Sequence, residues 1–243
     1  MKKLAILLFL MLFLSGCSDN WGWYVVNPYS KSGWINLKFL MSGYYFTLLL
    51  SFTSILISIA VGLLIALPGL SKNPWLRNFN RVYVEIVRSV PILVLILWVY
   101  YGLPPMTGLE INVFWAGVIA LSLNAAAFVA EVVRGGVGSI EKGQTEAAKA
   151  IGMRPSQILV FILLPQAYRQ MVPPLTNELI SLVKNSSLLS VISVYELTRA
   201  GQAIISVHFV PFEIYTLLAL YYYALIKALS WLSIQLERRL PSW

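Results

Sequence analysis

Residues 44–70 read YYFTLLLSFTSILISIAVGLLIALPGL and contain no charged side chain. A helix needs about 20 mostly apolar residues to cross the hydrocarbon core of a bilayer, and this run exceeds that. Four further apolar runs follow, at about 82–103, 113–133, 175–195 and 212–236. The fourth is the least apolar, because it holds Asn177, Glu178, Lys184 and Asn185. Only helices and closed barrels satisfy their backbone inside lipid, and runs this long fit helices. The expectation is an all-α, polytopic membrane protein with five spans over residues 44–240.

Composition points the same way. The chain has 243 residues, 58% of them hydrophobic and 12% charged, with a mean hydropathy of +0.75. Soluble domains carry about 25% charged residues. A chain with half that charge cannot cover a water-facing surface, which argues against a soluble enzyme, a nucleic-acid binder and a disordered chain. One cysteine, Cys17, allows no disulfide framework within the chain, and one histidine, His208, allows no His-rich metal site. No metal site and no catalytic residue is expected.

The N-terminus has the layout of a secretory signal. Lys2 and Lys3 precede a short apolar run from 4 to 14, which ends in Leu14-Ser15-Gly16-Cys17. The last four residues resemble a bacterial lipobox, in which Cys17 would carry lipid. A short uncleaved anchor is the alternative for segment 1–17. Residues 18–43 mix polar groups with Trp21, Trp23, Tyr24 and Trp34, which fits an external interfacial segment.

The charges orient the chain. Lys72, Arg77, Arg81, Arg88, Arg134, Lys142, Lys149, Arg154, Arg169, Arg238 and Arg239 fall on one side of the five spans. Lys31, Lys38 and Arg199 fall on the other. The basic side is cytoplasmic by the positive-inside rule. The mature N-terminus is then expected outside and the C-terminus in the cytoplasm. The net charge of +8 then reflects orientation and not nucleic acid.

The long loop, about 135–174, carries structure of its own. Gly143-Gln144-Thr145-Glu146-Ala147-Ala148-Lys149-Ala150-Ile151-Gly152 reads as a short helix. Thr145 is the expected cap, Glu146 complements the positive end of the dipole, and Gly152 stops the helix in a left-handed conformation. Pro155 starts a second helix expected to run to about 164, before Pro165. Ala147, Ala148 and Ala150 keep the first helix thin enough for a partner's backbone to approach.

These residues resemble the loop motif of permease subunits of ATP-binding-cassette importers, in Gly143, Glu146-Ala147-Ala148, Gly152 and Leu164-Pro165. The wider context is similar to the polar amino-acid branch. It includes Ala130-Glu131-Val132-Val133-Arg134, Pro173-Pro174-Leu175-Thr176-Asn177 and Lys184-Asn185-Ser186-Ser187-Leu188. The resemblance implies a five-transmembrane-helix type I importer permease fold with cytoplasmic coupling helices. It implies separate ATPase subunits docked on the loop, an extracytoplasmic binding protein, and a second permease chain as homodimer or heterodimer. Cofactors bound by this chain are expected to be none, with ATP used by the partner. The nearby Gly138–Thr145 stretch has P-loop glycine spacing but Gln144 where the phosphate-binding lysine belongs, so nucleotide binding is not expected here. Phe128 departs from the branch, which often has tyrosine there.

Ionisable groups within spans cost roughly 2.5–3.5 kcal/mol on insertion scales and need a reason. Asn124 and Glu131 are seven apart on one helical face, and Arg134 is three beyond Glu131. Asn177, Ser181 and Lys184 share a face of the fourth run, with Glu178 and Asn185 adjoining. One reading is a polar cavity near the bilayer centre, lined by spans three and four. There Glu131 would face a substrate ammonium and Lys184 or span-end amides its carboxylate, with Asn124, Asn177 and Asn185 also along the substrate pathway. The other is glue, with Glu131–Arg134 and Glu178–Lys184 as ion pairs. The function expected is ATP-driven import of polar amino acids by alternating access, coupled through residues 143–165. A permease for another small solute, a channel and an intramembrane enzyme are the alternatives.

Overall fold

The computed structural model describes residues 21–71 and 73–238, so segment 1–17 and Cys17 lie outside the described residues. Its helices are α1 (Lys31–Gly69), α2 (Pro74–Ser89), α3 (Ile92–Thr107), α4 (Val113–Gly138), α5 (Lys142–Ala150), α6 (Leu164–Asn185), α7 (Leu197–His208) and α8 (Pro211–Arg238). A 3-10 turn, Gly22–Val26, precedes them, and no strand occurs among the described residues.

Helix α1 starts well before the apolar run that predicted it. Ser30 caps it by accepting from the Gly33 N–H at 3.0 Å. Its 39 residues extend about 58 Å, nearly twice the hydrocarbon thickness. Half of the expected interfacial segment 18–43 is therefore helix.

The second run does not form one helix. Pro91 has no N–H and disfavours helical geometry in the residue before it. Val90 is accordingly extended, at φ −85° and ψ 127°. Helices α2 and α3 meet there at 102°.

The fourth run is also divided. α6 begins at Leu164, inside the predicted loop, and ends at Asn185. The chain then tightens into a 3-10 stretch, Ser186–Ile192. By length and apolarity α1, α4 and α8 can cross a membrane, and the bent α2–α3 pair makes a fourth span if counted as one. The expected five is not reached on this measure, because the polar groups of α6 and its Pro173-Pro174 pair keep it below the others.

Two wide π-helical stretches share a cause. Trp98–Gly102 lies just before Pro104 and Pro105, and Ile158–Leu163 just before Pro165. A proline ring strikes the carbonyl four residues earlier in a regular helix, and a widened turn makes room for it. The second helix of the loop therefore does not stop before Pro165. It starts with Pro155–Gln157 and continues through the π stretch into α6.

The centre is the α1–α4 seam. Lipid tails supply no hydrophobic drive between helices, so close approach of small residues does the packing. Ser51, Ser54, Ser58, Gly62 and Ala66 are buried along α1, and Ala125, Ala126, Ala127 and Ala130 along α4. A β-carbon on Gly62 would come within 2.5 Å of Val129 Cβ. Ser122 Oγ donates to the Ser54 carbonyl at 3.2 Å across the seam.

A polar knot ties α7 to α1 and α8. Glu196 is fully buried and caps α7, accepting from the N–H groups of Arg199 (2.6 Å) and Thr198 (2.8 Å). The Tyr222 hydroxyl donates to it at 2.9 Å, and Thr47 Oγ1 accepts from the Leu197 N–H at 3.0 Å.

Candidate functional site

Two regions carry the chemistry, an arginine-lined cleft and the exposed loop helix. The cleft, about 550 Å³, lies where the end of α1 meets α2 and α4. Its walls include Arg77, Arg81, Glu85 and Arg88 from α2, and Phe128, Glu131 and Arg134 from α4. Asn80 fixes α2 against α1, since its Nδ2 donates to the Ile65 carbonyl at 2.8 Å and its side chain fills the space a β-carbon on Gly69 would need.

Glu131 and Arg134 form a fork, with Nε to Oε2 at 2.9 Å and a guanidinium N–H to Oε1 at 2.5 Å. The pair lies within α4, so it is not glue between helices. Arg88 stacks over the Phe128 ring, 4.8 Å from its centroid. A phenyl face attracts a guanidinium without the help of a ring hydroxyl.

The structure divides the expected polar cavity. Glu131 lines the cleft, close to the end of α4. Asn124 is buried in the α4 packing face. Lys184 and Asn177 are exposed on α6, and Asn185 is its half-buried last residue. None of these four lines the cleft with Glu131. Glu178 and Lys184 form no ion pair, because six residues of helix turn their side chains about 120° apart.

The loop helix differs from expectation in its start and agrees at its stop. α5 begins at Lys142 with Glu141 at the cap position, which makes no side-chain cap bond, so Thr145 lies inside the helix and does not cap it. Glu146 is past the first turn. Gly152 has φ +80°, the Gly152 N–H donates to Lys149 O at 2.9 Å, and the Met153 N–H donates to Ala148 O at 3.1 Å. That bond pair is a Schellman stop, which requires the left-handed residue. Gly143, Glu146 and Ala147 face solvent, as do Leu164 and Pro165, and Ile151 is 79% exposed. Ala148 is buried against the chain itself, so the thin face open to a partner is that of Ala147 and Ala150.

Sequence reasoning treated Arg77, Arg81 and Arg88 as orientation charges and missed that they line one cleft. Their spacing of four and seven along one helix was the available signal. It also passed over Glu196, whose partner Tyr222 is distant in sequence.

Comparison with known proteins identifies the arrangement. The description "Binding-protein-dependent transport system inner membrane component" matches residues 58–241. The arginine transport system permease protein ArtQ of Bacillus subtilis is 34% identical over 209 residues, covering 85% of this chain and 94% of that one. The glutamine transport system permease protein GlnP of Escherichia coli K12 is 36% identical over 211 residues, covering 85% and 95%. A crystal structure of an amino acid ABC transporter with histidines superposes with a TM-score of 0.79 at 36% identity, covering 84% and 95%. The MetNI methionine ABC transporter, in inward-facing conformations, shares the fold with a TM-score of 0.68 at 24% identity. With this family match and these type I importer relatives, the chain belongs to the binding-protein-dependent inner-membrane permeases of ABC transporters.

Proposed function

We propose that this multi-pass inner-membrane chain is the translocating subunit of an ATP-driven importer for polar amino acids. The observation that carries the reading is mechanical. The exposed α5 leads through a short turn at Ile151–Arg154 into helix that continues unbroken to Asn185. A partner that moves α5 therefore moves α6 against α4, which carries the Glu131–Arg134 pair. The glutamine and arginine permeases among its relatives support polar amino acids as cargo.

In this reading two copies, or this chain and a similar one, form the pathway. ATPase subunits grip α5 through Gly143, Glu146 and Ala147, and an external binding protein delivers substrate. The basic loops, including α5, face the cytoplasm, and α7 lies toward the outside. ATP stays with the partner, and closure of the ATPases shifts the spans between inward and outward access. Such a shift needs a differential affinity between states. Asn124, Glu131, Asn177, Lys184 and Asn185 lie along the substrate pathway.

The test is uptake of labelled glutamine and arginine into proteoliposomes holding the purified complex and its binding protein. The reading predicts accumulation that stops when ATP is withheld from the ATPase side. Flow down a gradient without ATP would instead identify a channel, and accumulation of sugar alone would move the substrate class.

A further inference from the structure

Helix α2 has three distinct faces. Asn80, Tyr83, Val84 and Val87 form the attached face, where the Tyr83 hydroxyl donates to the Leu123 carbonyl at 2.9 Å. Arg77, Arg81 and Arg88 run along the second. Trp75, Phe79, Val82 and Ile86 run along the third, and all four are exposed, Trp75 at 83%. Among the described residues Arg77 and Arg81 form no ion pair, and neither bonds to Glu85, one turn on. The two guanidiniums stand between the 550 Å³ cleft and a second of about 470 Å³, whose wall includes Trp75 and Asn78.

A helix that carries a basic stripe and an apolar one, and that breaks from the apolar α3 at 102°, has the geometry of a segment lying in a membrane surface. Four residues apart, Arg77 and Arg81 have neighbouring β-carbons and can both reach one phosphate. Arginine forks match phosphate oxygens in pairs. A free anion would need only the arginines. The exposed Trp75, which shares the second cleft's wall with them, suits acyl chains.

We propose that α2 holds an anionic phospholipid of the cytoplasmic leaflet. Arg77 and Arg81 clasp its phosphodiester, and the Trp75 stripe seats its chains. The choice of leaflet rests on the orientation proposed above, and the lipid binding itself does not.

The test is native mass spectrometry of the detergent-solubilised complex, titrated with phosphatidylglycerol or phosphatidylcholine of matched acyl chains. Phosphatidylglycerol should bind in preference. Each arginine near an anionic surface is worth about a fivefold factor, so R77Q/R81Q should weaken phosphatidylglycerol about thirtyfold and leave phosphatidylcholine unchanged. If the double variant does not fold, Arg77→Gln and Arg81→Gln alone should each weaken it about fivefold. Equal binding of the two lipids, or an unchanged preference in the variants, overturns the proposal. Displacement of the lipid by millimolar inorganic phosphate would assign the arginines to a soluble anion and overturn the lipid source. Trp75→Glu that splits the complex without releasing lipid would give the stripe to a second copy of the chain. Uptake is not read in this experiment, so its result and that of the transport assay stand separately.

Discussion

Gly152 and Glu196 occupy opposite ends of what a sequence discloses. Gly152 sits at φ +80°, where any β-carbon costs about 1–2 kcal/mol. Nothing lies within 4 Å of the position, so substitution strains the turn without a clash. Gly152→Asp should therefore insert and fold, yet misdirect α5 and abolish ATP-driven uptake. Parallel measurements of membrane level and transport check this, and full uptake in that variant would refute the coupling role. The glycine was legible because a left-handed stop is a local requirement. Glu196 was not, because an acid at the end of an apolar run resembles a surface charge. Its burial follows from Tyr222, which donates to it, and from Thr47, which accepts from the N–H of the next residue, Leu197; both lie on helices distant in sequence. Glu196→Ala would leave two N–H groups and a hydroxyl without their acceptor, at about 1–3 kcal/mol for a group so orphaned. The expected result is a clear drop in the melting temperature of the detergent-solubilised protein, with Glu196→Gln falling less.

Apolar runs fixed which segments are helices but not where they bend or end. Residues 82–103 look continuous by hydropathy, and the turn comes from the backbone of Val90-Pro91. The loop helix continues through Pro165 because a π stretch absorbs the ring, a tertiary adjustment with no sequence marker of its own. The α1–α4 seam was only partly visible. Ser54, Ser58, Gly62 and Ala66 recur at four-residue intervals, which marks a close-packed stripe but not its partner. Gly62→Leu should force α1 away from Val129 and Ala126, at a cost of about 1–3 kcal/mol or more. The measure is the yield of folded protein by size-exclusion chromatography. An unchanged yield and melting temperature would show that the seam is looser than drawn.

At the scale of the molecule, the chain joins an exposed loop helix to a charged cleft. The loop motif was read as that of an importer permease, and the family match bears out the family. The cleft was not read, since it needs α2 folded back at 102° to bring Arg88 over Phe128. Glu131 faces that cleft and pairs with Arg134 while still partly exposed, so its ion pair contributes little to stability, about 0–1 kcal/mol. Glu131→Ala should consequently change the concentration of amino acid that half-saturates uptake, with the amount of protein in the membrane within twofold of wild type. A loss of protein with unchanged residual half-saturation would make Glu131 structural instead. The family is one of transport components and not of enzymes, so energy has to enter from outside the chain. The most direct measurement is co-purification from detergent-solubilised membranes with this chain as bait, its partners identified by mass spectrometry. The account predicts an ATP-hydrolysing subunit held by the wild-type chain and reduced at least tenfold by Gly152→Asp. Absence of any ATPase, under conditions that keep a known importer intact, would contradict it.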